Sequence, residues 1–216
     1  LSQSELQVLT NEMDPHFIFN SLNTLNHLIL NQPRQAHLFN NKLAQVYKYF
    51  LINKNKELIS LQDELEFIED YFFLLQIRHD NKLQLQTTLD DKSHEVMIPP
   101  CSIQILVENA IKYTPDEGRV TIRTLSQPGY LIFAVEDSGL GISTEDLPHL
   151  FEKFYRVPTG NVHNVKGFGL GLYYVQRICV AHGWKIRLQS DAGEGTCMAI
   201  QIPRTHPKNT PVYESA

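Results

Sequence analysis

The sequence has only three cysteines in 216 residues, Cys101, Cys179 and Cys197, all far apart. Without paired spacing they exclude a disulfide scaffold, a zinc ribbon and a Cys-x-x-Cys redox pair, and they suit a reducing compartment, with the thiols expected as small buried groups. No apolar run approaches the ~20 residues that a membrane-spanning helix needs, and no signal peptide is visible. Nor is there a basic cluster: 19 Lys and Arg against 24 Asp and Glu leave a net charge of −5, which argues against a nucleic-acid surface. Internal repeats and low-complexity tracts are absent as well. What remains is 42% hydrophobic residues, enough for a true core in one large domain or two small ones.

Helical periodicity opens the chain. From about Ser2 to Asn31 the pattern is helical, and Ile18, Leu22, Leu25 and Ile29 form a heptad seam. Leu6, Leu9 and Met13 run at helical spacing before Pro15, which favours a continuous helix kinked by the lost amide and the freed carbonyl of Asn11. The alternative is a helix start with Asp14 as N-cap and Pro15 as first helical residue. Asn31-Gln32-Pro33 makes a turn, and a second helix carries a seam of Ala36, Phe39, Leu43, Val46 and Phe50. Two such helices cannot bury both seams alone, so a homodimeric four-helix bundle is expected, with packing on the rest of the same chain as the disfavoured alternative.

The polar stretch Asn53–Glu57 is read as a linker. Ser60 and Asp63 then open a third helix in the manner of a capping box, with an apolar face of Leu61, Leu65, Ile68, Phe72 and Leu75 ending near Arg78. Its acidic run reads as a solvated face without chemistry. Alternation predicts strands at Leu83–Leu89, Val120–Thr124, Tyr130–Val135, Ile186–Leu188 and Met198–Ile202, with helices at Ser102–Tyr113, Thr144–Leu150 and Leu170–His182 between them. The fold class is therefore α+β: a helical hairpin, 1–57, followed by an α/β two-layer sandwich, 58–205, and a loose tail, 206–216.

Chemistry concentrates in five segments. In Asp14-Pro15-His16-Phe17-Ile18-Phe19-Asn20 a histidine stands on a helix with Asn20 one turn after it and Glu12 one turn before. A neutral imidazole, pKa about 6.5, is a competent nucleophile near neutral pH, and Asn20 is placed to hold its tautomer. Glu108-Asn109-Ala110-Ile111-Lys112-Tyr113 sets an amide oxygen and a cation on a helix. Glu136-Asp137-Ser138-Gly139-Leu140-Gly141 follows a strand, its glycines permitting close backbone approach. Phe151 to Arg156 is aromatic-rich and ends in a guanidinium suited to oxyanions, and the polar loop after it has little to bury, as a lid should. Gly167-Phe168-Gly169-Leu170-Gly171-Leu172 leads into a helix, where successive amides make an anion nest. A dinucleotide fingerprint is disfavoured there, because Leu172 replaces the third glycine and a loop precedes the motif.

The first segment resembles the phosphoacceptor motif of LytS-like sensor histidine kinases, and the other four stand in the order found in the gyrase, histidine kinase and MutL type of ATPase domain. That resemblance implies ATP-dependent autophosphorylation on His16, the hairpin being the dimerisation and phosphoacceptor region, with phosphotransfer to an aspartate of a response regulator receiver domain. It further implies Asn109 as the Mg²⁺ ligand, Asp137 on adenine with Gly139 and Gly141 beside it, and Lys112, Arg156, Lys166, Gly167, Gly169, Leu170 and Gly171 around the phosphates. Gly193-Glu194-Gly195-Thr196 is a further match, which equally reads as a plain hairpin turn; Thr196 joins the site. An acidic residue usually follows the acceptor histidine as base, whereas Phe17 stands here, so Glu12 becomes the candidate, with Asp14 behind it. The chain reads as a composite, since Ile98-Pro99-Pro100 is LytS-like while Phe154-Tyr155-Arg156 and Lys112-Tyr113-Thr114 are like the commoner kinases. The start at Leu1 leads us to expect the cytoplasmic part of a sensor anchored in the inner membrane by an upstream segment. Two rival readings are an ATP-binding signalling scaffold and an ATP-hydrolysing switch, both without phosphotransfer.

Overall fold

The computed structural model describes residues 15–53, 56–78, 82–91, 96–157 and 169–204, with only the backbone of Pro15, His16 and Arg78. Whether the first helix continues upstream of Pro15, and where Glu12 and Asp14 lie, fall outside the described residues, as do most of the loop after Arg156 and the tail.

Helix α1 (Pro15–Asn31) and helix α2 (Pro33–Asn53) are joined through Gln32. After them β1 (Ile59–Ser60) runs into α3 (Leu61–Arg78), whose start is capped as the sequence predicts, the Asp63 amide donating to Ser60 Oγ at 3.0 Å. The expected apolar face of α3 is buried, Leu61 and Ile68 at 0% and 1% exposure among it. It meets α2, where Lys42 pairs with Asp70 at 2.5 Å and Tyr49 stacks on Phe67 with ring centroids 4.2 Å apart. The seam of α2 is thus used within the chain: Ala36, Phe39, Leu43 and Val46 are all buried. This is the arrangement the sequence reading disfavoured, and the reason is α3, which supplies the third apolar face that the hairpin lacks. On α1, by contrast, Leu22, Ile29 and Leu30 stay exposed.

The main sheet has five strands, β2 (Gln84–Thr88), β4 (Arg119–Gln127), β5 (Tyr130–Asp137), β7 (Gly195–Pro203) and β6 (Lys185–Asp191), side by side in that order. β2 and β4 are parallel and the other neighbours antiparallel. Alternation sends Val120, Ile122, Leu131, Phe133, Ile200 and Ile202 into the core, where α4 (Gln104–Tyr113) and α5 (Gly171–Ala181) cover them. Ile59 and Ser60 of β1 also pair antiparallel with β3 (Met97–Ile98), a two-stranded ladder too short to be read from alternation. One apolar cluster runs without a break from Phe17 and Phe39 of the hairpin to Phe133 and Ile200 of the sheet.

The helix predicted at Thr144–Leu150 is instead a single 3₁₀ turn, Leu147–His149. Pro148 removes an amide that a longer helix would use, and the Ser143 hydroxyl draws the local bonding to itself, donating to Asp146 Oδ2 at 2.6 Å and accepting the Asp146 amide at 3.2 Å. Of the cysteines, Cys101 and Cys179 are buried as expected, while Cys197 is half-buried.

Candidate active site

A cavity of about 390 Å³ opens between α4, the C-terminal end of β5 and the start of α5. Asn109 and Lys112 line it from α4, Asp137 from β5, Gly141 from the loop beyond, Arg156 from the aromatic segment, and Gly169, Leu170 and Gly171 from the start of α5. Thr196 closes it from β7. Residues spread from Ile105 to Met198 therefore share one wall system. Glu108 adds a carboxylate from α4, and most of the remaining surface is apolar, with Val135, Ile142, Leu150 and Met198 suited to a flat aromatic base.

Asp137 sits where β5 ends, opposite Thr196 in the β5–β7 ladder. Its Oδ1 accepts the Gly139 amide at 2.9 Å. Burial pushes its pKa up, while the amides of Gly139 and Thr196, which favour the charged form, pull it back. Space there is tight. A Cβ on Gly195 would stand 2.0 Å from the Asp137 carbonyl, and one on Gly141, whose φ is +64°, would stand 1.9 Å from the Asp191 carbonyl. The Gly193–Thr196 turn is consequently packed on the Asp137 corner.

On α4, Glu108, Asn109 and Lys112 share the cavity-facing side. The Gln104 Nε2 donates to Glu108 Oε1 at 2.7 Å, which orients that carboxylate along the helix. Lys112 has its pKa lowered, first by burial and then by the charge of Arg156, with Glu108 opposing. Two cations that disfavour each other across a half-enclosed wall are relieved by an anion between them.

The aromatic segment is fastened at its base. Phe154, with φ +69°, donates its amide to the Gly169 carbonyl at 3.0 Å, and Tyr155 donates its hydroxyl to Asp146 Oδ1 at 2.5 Å. Gly169 also has a left-handed φ of +69°, and a Cβ there would lie 2.7 Å from the Tyr155 carbonyl. Phe154 and Gly169 are thereby held together beside the cavity. Lys166 and Gly167 lie outside the described residues. The amides beyond Leu170, which gives α5 no side-chain cap, open the helix at the cavity wall.

His16 lies in the first turn of α1, and Asn20 is one turn further on and half-buried. Among the described residues, no α1 side chain lines the cavity. The structure does explain Phe17. That ring is 8% exposed and packs on Tyr71 of α3 with centroids 5.1 Å apart, docking the helix beside His16 where a charged side chain would be stranded.

Comparison with known proteins places both halves. The family model described as histidine kinase matches residues 4–83, and that of the histidine kinase-, DNA gyrase B- and HSP90-like ATPases matches residues 102–206. The chain belongs to the histidine kinases. Sensor protein RprX of Bacteroides fragilis is 48% identical over 100 residues, covering 45% of this chain and 19% of RprX. Sensor protein LytS of Bacillus anthracis is 28% identical over 211 residues, covering 94% of this chain and 35% of LytS. The chain thus spans well under half the length of either relative. Among solved structures, mycobacterial sensor histidine kinase MprB overlays with a TM-score of 0.53 at 23% identity, over 68% of this chain and 96% of that one, a likeness of fold. The α+β class read from the sequence is the one observed.

Glu64 belongs to the acidic run that the sequence reads as a solvated face, yet it is 0% exposed. Its Oε1 accepts the amides of Ile103 and Gln104 at 2.7 and 3.1 Å, and its Oε2 accepts the Tyr49 hydroxyl at 3.2 Å. Burial raises its pKa to about 7, against the lowering by those donors. The signal was present in the spacing, because Glu64 falls three residues after Leu61 and four before Ile68, on the buried stripe; Asp63, Glu66 and Glu69 do face solvent.

Proposed function

We propose that the chain is the kinase portion of a two-component sensor, which transfers the γ-phosphoryl group of ATP to His16 and then to an aspartate of a response regulator receiver domain. The observation that carries this reading is the single cavity holding Asp137, Asn109, Lys112, Arg156 and the Gly169–Gly171 amides in a chain that also bears the Pro-His-Phe-x-Phe-Asn helix. Asp137 accepts the exocyclic amine of adenine while Ile142 and Met198 sandwich the ring. Lys112, Arg156, Lys166 and the Gly167–Gly171 amides hold the phosphate oxygens, with Gly141 and Thr196 shaping the walls and Gly139 fixing Asp137 through its amide. Asn109 would hold Mg²⁺ through its amide oxygen, and the ion would neutralise charge between the phosphates. The donor set fits it, a hard oxygen ligand beside phosphate-binding cations.

In the transfer, one imidazole nitrogen of His16 bonds to the γ-phosphorus as the bridging P–O bond to ADP breaks, and the proton of the other ring nitrogen is held by a base, for which Glu12 is the candidate and Asn20 the orienting partner. Positioning and charge neutralisation supply most of the rate. We assign 1–57 to the phosphoacceptor and dimerisation region, 58–205 to the catalytic domain and 206–216 to a tail, with a homodimer formed through the exposed face of α1. Among the described residues no helix is long and apolar enough to cross a membrane; anchoring through an upstream segment, with this part in the cytoplasm, belongs to the same proposal.

The test is transfer of labelled γ-phosphate from ATP·Mg²⁺ to the purified chain and its His16→Gln variant. Acid-labile, base-stable label that the variant loses is the expected outcome. ATP binding without any label would instead support a scaffold, the reading that Phe17 favours by standing where an acidic base is usual. Phosphate release surviving His16→Gln would support a hydrolytic switch.

A further inference from the structure

A column of packed side chains, buried except for the partly exposed Tyr71, joins the hairpin to the nucleotide helix, and the chemistry above makes no use of it. It starts at Phe17, beside His16, and passes to Tyr71, then to Phe67 at 5.8 Å and to Tyr49 at 4.2 Å between centroids. The Tyr49 hydroxyl then donates to Glu64 Oε2 and also accepts the Cys101 amide at 3.4 Å. Through Oε1, Glu64 holds the amides of Ile103 and Gln104, the first of α4. That helix has no side-chain cap from its own N-cap residue, Ile103, so a carboxylate from α3 supplies it from outside. Cys101 takes a left-handed φ of 61° in the turn that feeds α4, a conformation that persists because Tyr49 and Glu64 fix the amides around it. Asn109 follows Gln104 by five residues, ~7.5 Å along a stiff helix, so a displaced first turn displaces the cavity wall.

We propose that Tyr49 and Glu64 are positioning residues that couple the phosphoacceptor hairpin to the nucleotide cavity, the seat of α2 setting how tightly the cavity holds nucleotide. The inference rests on the reading of that cavity as an ATP site. Neither side chain lines the cavity, so an effect of either on nucleotide affinity reports coupling and not lost contact.

The experiment measures binding of trinitrophenyl-ATP with Mg²⁺ to the full chain and to variants whose folding is checked by circular dichroism. Tyr49→Phe keeps the stack on Phe67 and loses only the hydroxyl; it is expected to weaken binding roughly threefold to tenfold. Glu64→Gln keeps an acceptor for the α4 amides and is expected to stay within about twofold, whereas Glu64→Ala loses about tenfold or more. Tyr49→Phe combined with Glu64→Ala binds no more weakly than Glu64→Ala alone, since both break one link. Gln45→Ala, on the exposed side of α2 one turn from Tyr49, matches the unaltered chain. If Glu64→Ala does not fold, Tyr49→Phe against Gln45→Ala decides. Tyr49→Phe binding as the unaltered chain does, or effects that multiply in the double variant, overturns the coupling. An unaltered chain that binds nucleotide but takes no label on His16 fails the kinase reading and leaves the coupling legible; one that binds no nucleotide overturns both.

Discussion

The hairpin and the α/β layer are built from equally apolar sequence and finish it differently. In the layer the sheet face is sealed, with Val120, Ile122, Leu131 and Phe133 all at 0% exposure. In the hairpin one face is sealed against α3, yet Leu30 and Leu51 remain 83% and 77% exposed. A sealed face makes a domain that holds its shape whatever its surroundings, whereas apolar side chains left in water on one side of a helix mark a surface that meets something else. The site follows the same division. Every described nucleotide-binding candidate sits on the sealed layer, and His16, the proposed acceptor, sits on the open hairpin.

The sharpest break between the two regions is in stability. Phe133→Ala removes a ring from the middle of the sealed sheet and is expected to cost about 3–5 kcal/mol of unfolding free energy, read by denaturant titration. A loss below about 1 kcal/mol would mean that the sheet relaxes around the cavity, contrary to a close-packed core.

The boundary between the regions should carry a pH signature. Glu64 has a folded pKa of about 7 against an ordinary 4.5, so the folded state binds its proton more tightly and the protonated form is favoured by folding. Its contribution is complete below pH 4.5 and is lost as pH rises to 7, a decline of about 3 kcal/mol. The check is the unfolding free energy at pH 5 and pH 7.5: the unaltered chain should fall further between them than Glu64→Gln does. Parallel curves would mean that the carboxylate stays ionised in its cage of amides.

Within the layer, Asp137→Asn is expected to weaken ATP-analogue binding by about 1.5–3 kcal/mol, the value of a hydrogen bond to a charged group, while changing the melting midpoint little. An unchanged affinity would remove Asp137 from the adenine pocket.

The sequence announced the layer better than the hairpin's partners, for physical reasons. Strand alternation and the glycine segments are local patterns, and the tight contacts of Gly141 and Gly169 are what those glycines are for. The α2 seam was equally legible, but a seam does not name the face it meets. Only the fold shows that α3 takes it, through Tyr49, Phe67 and the Lys42–Asp70 pair. Glu64 was misread because charge was weighted above its place on the apolar stripe. Pro148 was the overlooked sign against a helix after Ser143, and the β1–β3 ladder of two residues per strand lies below what periodicity can register.

The smallest expected effect on folding falls on the open face. Leu22 and Ile29 are 50% and 53% exposed and stand on α1 seven residues apart, one heptad. Replacing both by Ser should change unfolding free energy of the isolated chain by no more than about 0.5 kcal/mol each. If the face seats a second copy, the same change should shift the chain from dimer to monomer in light scattering at micromolar concentration. The α2 seam offers the converse: Val46, at 0% exposure, is packed within the chain, so Val46→Ala should cost stability and leave the association of folded molecules intact. A monomer before any substitution would assign the open face to another partner, and loss of association from Val46→Ala alone would mean that the dimer is held by the sealed face.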